Sequence, residues 1–165
     1  MAREGIRLAG GMRPLTGLRK GAVMLMIQPK DSRGFFMLPQ APQDAGYYVY
    51  GTPGKGAGQY AHPVMMTVLL YVEHNWQTED QRKFGIGNIS LAGREVFEPH
   101  ASHQNGLQVD VRPLRIDGNH VPVKYFQSGY DKAATTRLIG IFQSHPMVTK
   151  VFFNDRSISG VRPHE

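Results

Sequence analysis

Three side chains able to bind a cation or move a proton crowd one stretch of the chain, "EPHASHQNGLQVDVRPLR" at residues 98–115: His100, His103 and Asp110. The sequence holds no cysteine, so any zinc must be held by neutral imidazole nitrogens and carboxylate oxygens at roughly 2.0–2.2 Å, with one position left for water if the metal is catalytic. His103 and Asp110 can supply two such donors. The alternation in "GLQVDVRPL" predicts a strand with Leu107, Val109 and Val111 on one face and Gln108, Asp110 and Arg112 on the other. Asp110 is then carried by a strand and His103 by the loop before it, and Gly106 permits the tight backbone path that folds the imidazole back over the carboxylate. On these residues alone the plainer reading stays open, since exposed loop histidines commonly serve no special purpose.

The elements that must position this cluster follow from periodicity and punctuation. In the first third, "AVMLMIQPK", "GFFMLPQ" and "AGYYVYG" are short β-prone runs broken by Pro29, Gly34, Pro39, Pro42 and Gly46. After the glycine-rich "GTPGKGAGQ" at 51–59, Pro63 opens a helix whose apolar stripe is Val64, Val68, Tyr71, Val72 and Trp76. "KFGIGNISL" reads as a strand. A second helix is expected over 130–144, with Ala134, Leu138, Ile141 and Phe142 inward, stopping before His145-Pro146 because proline disfavours helical geometry in the residue preceding it. "VTKVFF" follows as a strand. Strand, strand, helix, strand predicts an α+β domain, a small antiparallel sheet backed by helices.

Length and composition bound the rest. A chain of 165 residues with 41% hydrophobic and 19% charged residues is sized for one domain with its own core. Nineteen glycines and eleven prolines favour turns and irregular connections over a helical bundle. The formal charge of +6 favours acidic partners. Its basic residues are scattered without a stripe or tail, so nucleic acid is not the expected partner. The apolar runs at 22–27 and 64–72 fall far short of the ~20 residues of a membrane span. The N-terminal "MAREGIRLAGGMRP" lacks the apolar core of a secretory signal.

The run "GIGNISLAGREVFEPHASHQNGLQVDVRPLR", residues 85–115, resembles the signature of the penicillin-insensitive murein endopeptidases, part of the wider group of lysostaphin, D-Ala-D-Ala peptidase and hedgehog-like zinc proteins. Those enzymes carry a similar PH-x-SHQ-x-G-x-x-VD segment, and the likeness extends loosely to "YGTPGKGAGQYAHP" and "VFFNDRSISGVRP". The resemblance implies one zinc peptidase domain of hedgehog/D-Ala-D-Ala peptidase-like fold. Within it His103 and Asp110 are the first two zinc ligands, His100 is a catalytic histidine beside the metal, and Ser102 and Gln104 are neighbours on the substrate side. It further implies hydrolysis of an amide bond in the peptide cross-links of peptidoglycan, with zinc acidifying water and polarising the carbonyl. In that group the last histidine of a His-x-His motif on a following strand completes the zinc, within a run similar to "GHDNHFHV". The present sequence reaches "VRPHE" without it. The expectation is that this segment lies beyond Glu165, with His164 the candidate third ligand inside the chain. A substrate in the periplasm or cell wall implies export by a route other than a signal peptide, or excision from a larger protein, and an immunity or delivery protein as partner if the domain is an injected toxin. A non-catalytic cell-wall-binding module of the same fold is the alternative.

Other motifs have plainer readings. "DGNHVPVKYF" at 117–126 is similar to the histidine-bearing turn of ββα-metal nucleases, with His145 and Asn154 as further members, but these are spread over dozens of residues. "DGN" is more simply a turn, because Asp, Gly and Asn tolerate positive φ. "GTPGKGAG" lacks the Gly-Lys-Ser/Thr ending of a phosphate loop and is expected to be a mobile loop beside the cleft. His62 is expected at a helix cap and His74 in solvent. Met24, Met26, Met65 and Met66 fill apolar core.

Overall fold

The computed structural model describes residues 30–93, 96–98 and 102–163. The expected run at 22–29 therefore lies outside the described residues, as do His100 and His164.

Helix α1, Pro63–Glu79, begins where the sequence places it. His62 caps it, its Nδ1 accepting from the Val64 N–H at 3.1 Å, and Pro63 occupies the first turn, where a missing N–H costs nothing. Met66, Val68, Leu69, Val72 and Trp76 are buried, while Tyr71, expected inward, is exposed beside the second helix and bonds Ser144. Helix α2, Lys132–Ser144, starts two residues later than its apolar spacing suggests, because Asp131 takes the cap and accepts from Ala134 N–H at 2.9 Å. Ala134, Leu138, Ile141 and Phe142 face inward as expected. The helix ends at the cap His145, ahead of Pro146.

The strands are short: β1 Phe36–Met37, β2 Tyr47–Val49, β3 Tyr60–Ala61, β4 Phe84–Ile86, β5 Val111–Arg112, β6 Val151–Phe152 and β7 Val161–Arg162. The domain is mixed α and β, but its central sheet is not purely antiparallel. In the order β2-β4-β5, β2 runs parallel to β4 and only β5 is antiparallel. The connection between β2 and β4 contains α1, and a crossover of that length returns the chain to the starting edge, as a hairpin cannot. β1 and β3 form a separate antiparallel pair, and β6 a parallel pair with β7, a strand that the sequence pattern does not announce. Within the expected strand at 107–112, Val109 and Val111 pack on the core, but Leu107 is exposed because its N–H is turned back onto the Asn105 side chain.

The helices pack on one face of this sheet around Trp76, Tyr47, Phe84, Leu69, Ile86 and Leu138. Phe84 at the centre meets Trp76 and Phe142 edge to face, both at 6.4 Å between ring centroids. The Trp76 indole satisfies its one donor on the Arg82 carbonyl at 2.6 Å. Arg82 then bridges Asp80 at the end of α1 and Asp131 at the start of α2 through ion pairs of 2.6 and 2.9 Å, tying the two helices at the sheet's rim. No helix among the described residues is long and apolar enough to cross a membrane. Truncation of Trp76 to alanine, which removes a fully buried ring and its bond to Arg82, is expected to destabilise the fold by about 3–5 kcal/mol, read as a lowered urea midpoint.

Candidate metal site

The loop before β5 is built to present one imidazole. Asp31 accepts the backbone N–H groups of Arg33, Phe35 and Gly93 and pairs with the Arg33 guanidinium at 2.7 Å, both side chains being nearly closed off from solvent. Burial alone would raise the Asp31 pKa, but these donors outweigh it and hold the carboxyl below its ordinary value. From that anchor Arg33 reaches the Leu91 carbonyl and, at 3.2 Å, the Gln104 carbonyl of the site loop. The loop is also hung on α1, since the His62 N–H donates to the Gly106 carbonyl at 3.1 Å. Gly106 has φ +66, and a Cβ there would lie 2.7 Å from His62 N and 2.9 Å from the Phe35 ring. Glycine is thus required for both backbone conformation and space.

His103 itself adopts φ +65, a region that side chains enter only when their surroundings hold them there. Its N–H donates to Gln108 Oε1 at 2.7 Å, and Phe97 sits edge-on to its ring at 6.4 Å. The imidazole is buried. Its Nδ1 meets the Ile89 carbonyl at 3.2 Å, and its Nε2 meets Asp110 Oδ1 at 3.2 Å. Asp110 lies just beyond β5 in sequence and continues the ladder, its N–H donating to Asn88 at 3.0 Å and its carbonyl accepting from Gly87 at 2.7 Å. Its carboxylate is 42% exposed, so one side of the pair is open to solvent.

A carbonyl oxygen only accepts, so Nδ1 must carry a proton. In the neutral tautomer that leaves Nε2 with a lone pair aimed at a carboxylate oxygen, which is repulsive unless a positive charge lies between them. Two cations satisfy the geometry. One is a second proton, giving imidazolium: the Asp110 hydrogen bond raises the His103 pKa above its usual value of 6.5, burial opposes this, and the charge of Asp110 and the Ile89 carbonyl add to the rise. The other is a divalent metal. Two ligands about 2.0–2.1 Å from zinc at a tetrahedral angle stand about 3.3–3.4 Å apart, close to the 3.2 Å between Nε2 and Oδ1. The carbonyl on Nδ1 is the support usually found behind a metal-bound histidine, fixing its tautomer and ring plane. The spacing and chemistry of these two donors are compatible with zinc.

The structure brings His103 and Asp110 together as the sequence predicts. Among the described residues no third His, Asp or Glu joins them in a metal-holding group. Gln104 serves the loop itself, its Oε1 accepting from Phe97 N–H at 3.2 Å and its Nε2 donating to the Ser102 carbonyl at 3.0 Å. Ser102 is exposed beside it. His62 is the expected cap. His120 is not an isolated turn residue, being stacked on Tyr48 at 3.9 Å and 10° between planes. Asn154 and His145 lie on other elements, His145 accepting from Met147 N–H within its own turn, so the nuclease-like grouping has no common centre. The residues that sequence reasoning missed are Asp31 and Arg33, which no local motif marks, and Tyr50 on the sheet face. A signal for Tyr50 existed in "FGIGN", where glycines two apart on one strand face announce close approach by neighbouring rings.

Neither a scan against protein-family models nor a search of curated proteins finds a match to this chain.

The ion pair sets a pH dependence in the metal-free protein. Because the folded pKa of His103 is raised, its stabilisation is full below about pH 6.5, the unfolded value, and is lost as pH rises through the elevated folded value. Asp110→Asn is therefore expected to lower the thermal midpoint of chelator-treated protein most on the acid side, with the gap to the wild type narrowing as the medium becomes alkaline. A gap independent of pH would mean that the contact is not ionic. Gly106→Ala is expected to cost at least about 1–2 kcal/mol, because it forces a left-handed alanine against backbone.

Proposed function

We propose that this chain is a zinc-dependent hydrolase domain that cleaves an amide bond in the peptide cross-links of peptidoglycan, with a D-Ala-D-Ala peptidase-like arrangement of its sheet and helices. The observation that carries the reading is the 3.2 Å approach of His103 Nε2 to Asp110 Oδ1, with Nδ1 occupied by the Ile89 carbonyl. The PH-x-SHQ-x-G-x-x-VD likeness supports it by sequence.

In this reading His103 and Asp110 hold the zinc, with His164 the candidate third ligand inside the chain. Zinc bound there supplies Lewis acidity toward the scissile carbonyl and toward a water nucleophile. The rest is work for the protein. The buried Phe97 ring keeps bulk water off one side of the imidazole, while the exposed side of Asp110 leaves a path for an extended peptide. His100 is proposed, on sequence likeness, to orient the water or stabilise the developing oxyanion. The +6 charge suits a polymer rich in stem-peptide carboxylates. Peptidoglycan places the action in the periplasm or cell wall, and a delivery or immunity protein would accompany an injected form.

Metal titration tests the reading, because the proton on Nε2 must leave for a metal to enter. The full-length protein is expected to bind zinc with proton release. His103→Ala and Asp110→Ala should each weaken binding by more than about 100-fold, a larger loss than that of a supporting group. Release of peptides from purified peptidoglycan should stop on chelation and return with zinc. Zinc-independent adsorption to peptidoglycan without release would instead favour the binding module. Absence of both zinc binding and release would remove the proposal.

A further inference from the structure

The register of the central sheet sets a polar outer face beside the His103–Asp110 pair. Tyr48, Gly85 and Arg112 stand opposite one another in one row across β2, β4 and β5. One step along, Tyr50 follows β2, and Gly87 meets Asp110 through the 2.7 Å bond from its N–H to the Asp110 carbonyl. Side chains two apart share a face, so Tyr48, Tyr50, Asp110 and Arg112 rise on the same side of the sheet. The core residues Val49, Ile86 and Val111 occupy the other. The middle strand carries no side chain on that side. A Cβ on Gly85 would lie 2.7 Å from the Tyr48 ring, and one on Gly87 would lie 2.6 Å from the Tyr50 ring, so both rings lean across the glycines.

Arg112 lies on top of this floor. Its guanidinium stacks on the Tyr50 ring at 3.8 Å from the centroid, and its Nη1 donates to the His120 carbonyl at 2.8 Å, with the His120 ring stacked in turn on Tyr48. The Tyr50 phenol is held above its ordinary pKa first by burial and then by the Asp110 carboxylate, with Arg112 opposing, so it lies within electrostatic reach of both charges. Arg33, Arg82, Arg115 and Arg137 are each paired with an aspartate or glutamate. Arg112 differs. Among the described residues it has no carboxylate partner, and Asp110 is turned to His103 instead. A guanidinium held by stacking and by one carbonyl, with Nε and Nη2 bonded to no other side chain or carbonyl among the described residues, has the planar fork that a carboxylate fits.

We infer that Arg112 receives a carboxylate of the bound peptide, placing an acidic substrate against the outer face of the sheet with its adjoining amide toward His103 and Asp110. The orientation toward hydrolysis rests on the function proposed above; the carboxylate preference does not. Two probes separate them, a cross-linked stem-peptide dimer with free carboxylates and the same dimer with those carboxylates amidated. Binding is measured by calorimetry on the full-length, zinc-supplemented protein, alongside hydrolysis. The wild type is expected to bind the free-carboxylate dimer about 10- to 100-fold more tightly than the amidated one, the range for a hydrogen bond between charged groups. Arg112→Ala should abolish that preference by weakening only the free-carboxylate complex, and Arg112→Lys should restore part of it. Zinc content and thermal midpoint serve as folding controls. If alanine destabilises the fold, Arg112→Gln, which keeps part of the stem and two N–H donors without the charge, takes its place. Equal losses for both dimers, no loss for either, or no binding of either dimer by the wild type would overturn the inference. A carboxylate preference that depends on Arg112 in a protein that hydrolyses nothing would leave Arg112 standing and remove the hydrolase. Hydrolysis indifferent to Arg112 would do the reverse.

Discussion

A lone pair and a carboxylate oxygen cannot face each other across 3.2 Å inside a protein without a positive charge to share, and this condition at His103 and Asp110 organises the surrounding structure. The Ile89 carbonyl removes the easy escape, in which the imidazole would turn its own single proton toward Asp110. Under the proposed function, a proton and a metal ion compete for one position. A site that selects for a cation by orienting a neutral ring differs from a surface ion pair, whose contribution is small and whose geometry is loose.

Holding the ring that way constrains several elements. His103 occupies a left-handed backbone conformation, Gly106 does so with no room for a Cβ, and the loop is tied both to the first turn of α1 and to the buried Asp31–Arg33 pair. Local strain of this kind persists only when neighbours over-determine it. Asp110 needs less support, because bonds to Gly87 and Asn88 extend the β4–β5 ladder to include it. The rigid half of the site is thus the sheet and the adjustable half is the loop. The helices contribute from the opposite face, where Trp76, Phe84 and Phe142 keep the sheet in place.

Much of this was legible in the sequence because it depends on local periodicity. Both helices, with their inward residues except Tyr71, follow from apolar spacing and proline punctuation, and Asp110 on the polar face of its strand follows from alternation. What was not legible depends on long-range pairing. The parallel join of β2 to β4 requires knowing that α1 serves as a crossover, and nothing in "YYVY" distinguishes a parallel partner from an antiparallel one. β7 is two residues long and too short to leave a pattern. Leu107 looked inward by alternation, but the Asn105 side chain captures its N–H and breaks the period there. Asp31 and Arg33 lie some sixty to seventy residues from the groups they hold, a relation that a single sequence does not display. Arg112 sat on the right face by alternation, yet the reason to single it out, its lack of an acidic partner among the described residues beside a stacked tyrosine, belongs to the folded chain.

The central claim concerns which atom of one ring carries which cation, and nitrogen NMR of the His103 imidazole reads that directly. With zinc withheld at mildly acidic pH, both ring nitrogens should show bonded protons. On adding zinc at neutral pH, the Nε2 proton should vanish and its resonance shift to that of a metal-bound nitrogen, while the Nδ1 proton stays on its hydrogen bond to Ile89. A ring that keeps its Nε2 proton in excess zinc, or one whose two nitrogens respond alike, would contradict the account.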